Sequence, residues 1–204
     1  MNNKYLALCV NAMMISSMFF TGGCEKKDKE KKEAVSVKKQ ISAPAVKNYE
    51  TEEEVKKDAE AGDANAQCTL GWFYAKSAVN AQDIVEAVKW FRKAAEQGHT
   101  EAQYNLAYSY ENGVEKNLTE AFKWYRKSAE NGLGEAQLKI GSFYAMGTGV
   151  EKNMAEAIKW WTLAAEKGNP VALFNLSACY ARGEGVLKDL KKSFEFCRRA
   201  AEAG

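Results

Sequence analysis

The same residues return along this chain at a nearly constant interval. Ala-Gln at 66–67 recurs at 102–103 and 136–137, and Tyr74, Tyr110, Tyr144 and Tyr180 keep step with it. So do Trp90, Trp124, Trp160 and then Phe196. Gly62, Gly98, Gly132, Gly168 and Gly204 punctuate the units at spacings of 36, 34, 36 and 36 residues. A period of this size marks one supersecondary unit stacked on itself. Such an array shares its core between neighbouring units and presents extended faces, so function is to be sought on a surface rather than in an enclosed catalytic pocket.

Each unit carries two stretches with helical spacing. Apolar residues fall at i, i+4, i+7 and i+8 in Ala66, Leu70, Phe73 and Tyr74, and again in Ala136, Ile140, Phe143 and Tyr144. The second stretch reads Ala87, Val88, Trp90, Phe91, Ala94 and Ala95, with Ala157, Ile158, Trp160, Trp161, Ala164 and Ala165 as counterparts two units on. Small alanines allow close helix approach, and the aromatics fill the space between. Seven residues before each aromatic anchor stands an N-cap type: Asp83, Asn117, Asn153 and Asp189. Glu86, Glu120 and Glu156 follow three later, as in a capping box. The glycines suit the left-handed position after a helix end, and Asn169-Pro170 joins an N-cap to the first helical position. Unit two is two residues shorter between Tyr110 and Trp124, which places the deletion in a turn.

The stretch GEAQLKIGSFYAMGTGVEKNMAEAIKWWTLAAEKGN, with Gly134 in place of the Ala that begins the usual pattern, and its three relatives resemble the Sel-1-like repeat family, a tetratricopeptide-like helix–turn–helix array. The resemblance runs from about Ala59 to Gly204. It implies an all-α fold, an α/α solenoid wound as a right-handed superhelix, with repeats at about 63–98, 99–132, 133–168 and 169–204 in a domain spanning 49–204. Unit one departs from the pattern in its turn, where residues 76–80 lack the glycines found at 147/149 and 183/185. Unit four departs at the anchor, Phe196.

The amino-terminal part is a different object. Lys4 opens an apolar run from Tyr5 to Phe20, too short to span a bilayer comfortably and followed by Thr21-Gly22-Gly23-Cys24. This resembles a lipoprotein signal over residues 1–23, with Cys24 as the lipidated first residue of the mature chain. Thr21 stands where that motif prefers a Leu-like residue, and plain secretion or an uncleaved anchor are the alternatives. Glu25 after the Cys implies an outer-membrane rather than inner-membrane destination, facing the periplasm. Residues 24–48 then read as a flexible charged linker, eight Lys against four acids with little to bury. It reaches on the order of 25–30 Å. A solvated spacer is one reading; a lysine-rich segment held on anionic headgroups is the other. Ser36 and Lys39 spell Ser-x-x-Lys there, but no partner motif accompanies them.

Excluding the signal and linker, the repeats carry 20 basic and 23 acidic side chains. That balance argues against nucleic acid, which needs a clustered basic face. His99, the one histidine, follows Gly98 where other units hold Asp63, Leu133 and Asn169, and so reads as a turn or cap residue. No nucleophile–base pair or metal-ligand set recurs, so no enzyme, cofactor, metal or small-molecule substrate is expected. Cys179 and Cys197 replace the pairs Phe73/Phe91, Ser109/Tyr125 and Phe143/Trp161. Both partners shrink together, as facing positions do. An exported chain permits a disulfide between them, closing a loop that contributes roughly 3 kcal/mol; two small buried thiols are the alternative.

On the first helix of each unit, the positions facing away from the core include Trp72, then Tyr104, Asn105 and Tyr108, then Lys139, then Asn175. In tetratricopeptide-like arrays these helices line the concave side, so these residues are the candidate contacts for a protein or peptide partner. Packing between units is the alternative for Tyr104 and Asn105, and packing on a helix around Thr51–Ala61 for Trp72. Phe194, Cys197 and Ala201 are expected to leave apolar surface on the last helix. The expected function is a membrane-tethered interaction scaffold in the bacterial envelope. An immunity protein that neutralises a secreted envelope toxin is the alternative, and a β-lactam or cell-wall hydrolase a remoter one.

Overall fold

The computed structural model describes residues 49, 51–113 and 116–203. These form a run of helices: α1 (Glu52–Glu60), α2 (Ala64–Ser77), α3 (Ala81–Glu96), α4 (Thr100–Asn112), α5 (Leu118–Glu130), α6 (Gly134–Met146), α7 (Met154–Glu166), α8 (Pro170–Arg182) and α9 (Leu190–Ala203). Each helix packs on the one before and the one after it in the chain. The pairs α2–α3, α4–α5, α6–α7 and α8–α9 are the four units, and α1 packs on α2 as the second helix of one unit packs on the first helix of the next. Residues 1–48, with the expected signal, Cys24 and the linker, lie outside the described residues, as does Gly204.

The ends of the helices explain the punctuation. Gly62, Gly98, Gly132 and Gly168 adopt φ between 80° and 101°. Behind each, the following N–H reaches back to close a Schellman turn, as from His99 to Ala94 O at 3.1 Å. In three of the four the next residue then caps the new helix, Leu133 having no side-chain cap bond. Asp63 Oδ1, His99 Nδ1 and Asn169 Oδ1 accept from the N–H of Ala66, Ala102 and Ala172 at 2.7, 3.3 and 3.0 Å. Among the second helices, Asn117, Asn153 and Asp189 cap as expected.

Unit one differs. Its cap is Asn80, not Asp83, and Asp83 is instead the reciprocal partner of a complete capping box. Without glycines to shape a longer turn, α3 begins three residues early. The carboxylates expected to complete the other boxes, Glu86, Glu120 and Glu156, bond Lys89, Lys123 and Lys159 at 2.6, 2.7 and 2.5 Å.

The recurring tyrosines and glutamines hold the units together. Tyr74 packs on two neighbouring core clusters, one around Val55 and Leu70, the other around Phe91 and Leu106. Tyr110 links the latter to the cluster of Tyr125, Ile140 and Phe143, and Tyr144 links that one to Trp161, Leu173 and Leu176. Tyr180 stacks on Phe196 with centroids 5.6 Å apart. Gln67, Gln103 and Gln137 are buried, and their Nε2 groups donate to Ala59 O, Ala95 O and Ala129 O of the preceding helix at 3.1, 3.3 and 3.2 Å. The side-chain oxygens of the first two accept from Gln97 Nε2 at 2.8 Å and Asn131 Nδ2 at 3.0 Å. Unit three has Lys167 at that place, its Nζ bonds Gly132 O, and buried Gln137 Oε1 has no partner among the described residues.

Close approach inside a hairpin is set by glycine. A Cβ at Gly71 would lie 2.8 Å from the Phe91 ring, and one at Gly141 would collide with the Trp161 indole. In these two units the aromatic of the second helix therefore packs directly against the backbone of the first.

This register also decides the cysteines. Phe143 packs against Tyr125 of the preceding unit, with centroids 5.6 Å apart. Cys179, its counterpart, likewise leans back into the cluster of Trp161 and Leu173 and carries a free, buried thiol. Cys197 lines the opposite, outward side of α9 with Phe194 and Ala201. The disulfide expected between Cys179 and Cys197 is therefore not formed: the two positions, on the first and second helices of the unit, shrink together but point to different neighbours. Burial pushes the Cys179 thiol up to about 11. No residue of α9 is fully buried, and Phe194 is 52 % exposed.

Candidate protein-interaction surface

The first helices do not offer the aromatic groove that the sequence pattern led one to expect. Tyr104, Asn105 and Tyr108 are 6 %, 0 % and 2 % exposed, so none of them is a surface contact. The Tyr104 ring meets Tyr125 edge-on at 5.3 Å. Above them, Glu111 of α4, Tyr125 of α5 and Lys139 of α6 form one network. The Tyr125 hydroxyl and Lys139 Nζ both donate to Glu111 Oε2, at 2.7 and 2.8 Å. Three helices are tied together across positions 104 and 108, and Lys139 is engaged in an internal ion pair. Burial drives the Tyr125 hydroxyl pKa well above the ordinary value, with the Glu111 charge adding to the rise. Trp72 is half-buried, packed on the cluster of Cys68, Ala75 and Phe91 and edge-on to Phe73 at 5.4 Å. Lys76 Nζ lies 4.5 Å over its ring. Asn175 is half-buried on α8.

His99 is the cap that its position implied. Its Nδ1 accepts from Ala102 N–H, so Nε2 carries the proton and donates to Asn65 Oδ1 at 3.0 Å. Burial lowers its pKa, partly opposed by Glu101 and Asp63. Among the described residues no group of three or more His, Cys, Asp or Glu is placed to hold a metal ion, and no helix is long and apolar enough to cross a membrane.

An open surface lies instead on the outer side of unit one. A cleft of about 440 Å³ runs along α3 and reaches the end of α4 at Ser109, Tyr110 and Gly113. Ile84, Val85, Val88 and Trp90 supply its apolar surface, and Glu86, Lys89, Arg92, Lys93 and Glu96 its charged rim. The rim is internally organised. Lys89 pairs with Glu86 at 2.6 Å, Arg92 donates to the Tyr110 hydroxyl, and Lys93 Nζ stands 3.9 Å over the Trp90 ring. The bond from Lys89 lowers the Glu86 carboxyl pKa.

Two sequence differences open this cleft. In later units the turn between helices covers the preceding second helix: a Cβ on Gly149 would meet Leu118 and Thr119 of α5, and one on Gly185 would meet Met154 and Ile158 of α7. All three turns close with the same bond, from Asn117 N to Tyr110 O, Asn153 N to Tyr144 O and Asp189 N to Tyr180 O. In unit two, however, that span is two residues shorter, leaving less chain to lie over α3. Val88 also stands where unit two has Phe122, whose ring meets Tyr144 at 5.3 Å. The smaller side chain leaves space before Tyr110. The available sequence signal was Val85, 38 % exposed, at a position that holds Thr119, Ala155 and Lys191 in the other units.

The repeat geometry is matched by a known family: the Sel1 repeat fits residues 64–99, 100–133, 134–169 and 170–204, which together make up most of the chain. The chain belongs to the Sel1 repeat family. A protective antigen of uropathogenic Escherichia coli, whose structure displays this repeat fold, is similar with 40 % identity and a TM-score of 0.72 over 77 % of this chain and 34 % of its own. A Sel1 repeat protein from Oxalobacter formigenes is 39 % identical with a TM-score of 0.70, over 75 % and 64 %. An F-box protein of Arabidopsis thaliana is 42 % identical over 55 residues, 27 % of this chain and 15 % of that protein. This Sel1 chain thus spans about a third and just under two thirds of the two solved structures, and a small part of the F-box protein. It is an all-helical scaffold of stacked helix pairs, a fold whose typical role is protein interaction.

Proposed function

We propose that this Sel1 chain is an envelope scaffold that binds a protein partner through the cleft along α3 and is held at a membrane through Cys24. The observation that carries the reading is the cleft: an open apolar trough with aromatic walls and a charged rim, on a repeat scaffold whose first-helix face at Tyr104 and Tyr108 is closed by Glu111, Tyr125 and Lys139. Aromatic and arginine side chains around apolar surface are the usual composition of an interface centre. Attachment follows from small residues immediately before Cys24 and the lysine-rich stretch after it, which separates an acylated residue from the first helix.

Affinity capture tests the cleft, and membrane fractionation tests the attachment. The mature chain is compared with a Val85→Glu, Lys89→Glu variant, which alters exposed positions and should leave melting unchanged. Loss of at least tenfold in partner affinity, about 1.4 kcal/mol, is the expected result. A partner held equally by both proteins would place binding elsewhere on the scaffold. Separately, Cys24→Ser is expected to shift the protein from the membrane to the soluble fraction while its helices stay folded. Full membrane retention would mean that the apolar run is an uncleaved anchor.

A further inference from the structure

We propose that the outward side of α9 docks on a second copy of this chain, taking the place of that copy's α1 on its α2 and stacking the arrays head to tail. This goes beyond the reading of the α3 cleft and does not depend on it.

Three joints within the chain define what fits. The second helices present Val88, Phe122 and Ile158 at one position, Phe91, Tyr125 and Trp161 three residues on, and Ala95, Ala129 and Ala165 four further. The next first helix covers them, with Ala102 and Leu106, with Ala136, Ile140 and Phe143, or with Ala172, Leu173 and Leu176. The Phe122 ring, for example, lies 6.1 Å from that of Phe143 and 5.3 Å from that of Tyr144. On α9 the same positions are Phe194, Cys197 and Ala201, with Leu190 one turn ahead. Among the described residues no further helix packs on this side, and Leu190 and Phe194 are 65 % and 52 % exposed.

The matching seat is on α2. Ala66 and Leu70 hold the positions of Ala102 and Leu106, so α2 presents the same face as the later first helices. Its present occupant fills that face incompletely. Val55 and Ala59 are the buried residues of α1, and Glu52 stands where the other second helices have Val88, Phe122 and Ile158. Phe73 is left half-buried, whereas its counterpart Phe143, opposite Phe122, is 1 % exposed. Seated in place of α1, α9 sets Phe194 against Phe73 and Tyr74. It also offers Ala201 O to Gln67 Nε2, which in the isolated chain donates to Ala59 O at 3.1 Å. With 14 residues against 9, α9 spans about 21 Å of the seat and α1 about 14 Å. The exchange keeps the hydrogen bond of the joint and adds apolar contact to it.

A short turn ties α1 to α2, so its effective concentration is high and it holds the seat in dilute solution. Other copies displace it where the chains are crowded. Seat and docking face are different surfaces, so each added copy brings a fresh one and the stack stays open.

The test uses the full chain with Leu190→p-benzoylphenylalanine, mixed from isotopically light and heavy protein. Irradiation is expected to join position 190 to α2 or the turn after it in another chain, with a yield that rises with concentration. Val55→Ala, which loosens α1, should lower the concentration at which stacks larger than a dimer sediment by about tenfold. Phe194→Glu, which gives α9 the residue type that α1 carries there, should abolish stacks and cross-links while monomer melting stays unchanged. Cross-links only between two α9 helices, a Val55→Ala protein that is monomeric at every concentration, or stacks that survive Phe194→Glu would each overturn the proposal.

Discussion

Replacing Lys167 by Gln should stabilise the third repeat. In units one and two a side chain just past the second helix, Gln97 or Asn131, donates to the buried oxygen of Gln67 or Gln103 at 2.8 or 3.0 Å. Lys167 occupies the corresponding place but bonds Gly132 O, and Gln137 Oε1 is left buried without a partner among the described residues. A buried acceptor lacking its bond costs about 1–3 kcal/mol, and a typical made bond contributes about 0.5–1.5 net. A Gln at 167 serves both acceptors, as Gln97 does with Gly62 O at 3.1 Å and Gln67 Oε1, so little is lost at Gly132. The expected gain is about 1 kcal/mol, or a Tm higher by about 2–4 °C in a chain of this size. The reverse exchange, Gln97→Lys, should orphan Gln67 and cost a similar amount. Calorimetric melting of both variants checks the pair. No gain in the first together with no loss in the second would refute the account, because the glutamine oxygens would then be satisfied in solution without these donors.

Gly141→Ala should destabilise the chain by about 1–3 kcal/mol, since its Cβ collides with the Trp161 indole; a melting temperature within error of wild type would mean that the indole moves aside freely. Acid should weaken the joint at His99. Its folded pKa lies below the ordinary value of about 6.5, so its contribution is present above that pH and fades as the pH falls through the folded pKa. His99→Asn, which retains a cap of the type seen at Asn169, should reduce the loss of stability between about pH 7.5 and about pH 5.5, measured by urea unfolding. The Cys179 thiol, buried and raised to about 11, should react with alkylating reagents only at the rate of local opening; fast labelling in native buffer would contradict its place in the core.

Helix pairs, turn glycines and anchor aromatics were legible because a period averages over units: four tyrosines in one register speak with one voice. Legibility ended where a unit departs from its siblings or where equivalence alone had to stand for direction. Asp83 holds the position of Asn117 and Asn153, but the glycine-free turn before it moved the cap to Asn80. Cys179 and Cys197 shrink together, yet the Phe143 position packs on the preceding unit, so matched size did not mean contact. Tyr104 and Tyr108 were placed by helical phase on an outward face. Phase cannot show that Glu111, Tyr125 and Lys139 close that face from three different helices. The cleft depended on a deletion and on Val88 in place of an aromatic, both visible in the alignment of the units with one another but meaningful only once the later turns were seen to cover α5 and α7.

Each helix rests on its two neighbours along the chain, and this sets how the molecule comes into being. Contacts among the units span little more than one period of sequence, so closing them costs little loop entropy and the ordering of one hairpin does not wait for the far terminus. As synthesis proceeds from the amino end, α1 can receive α2, and each new hairpin can dock on a finished surface as soon as it emerges. The tyrosine that joins two clusters is then a checkpoint in time as well as a contact in space: Tyr110 completes the first unit's core only when the second has arrived, and a nascent chain halted between units ends on an apolar face that the next thirty-odd residues are needed to cover.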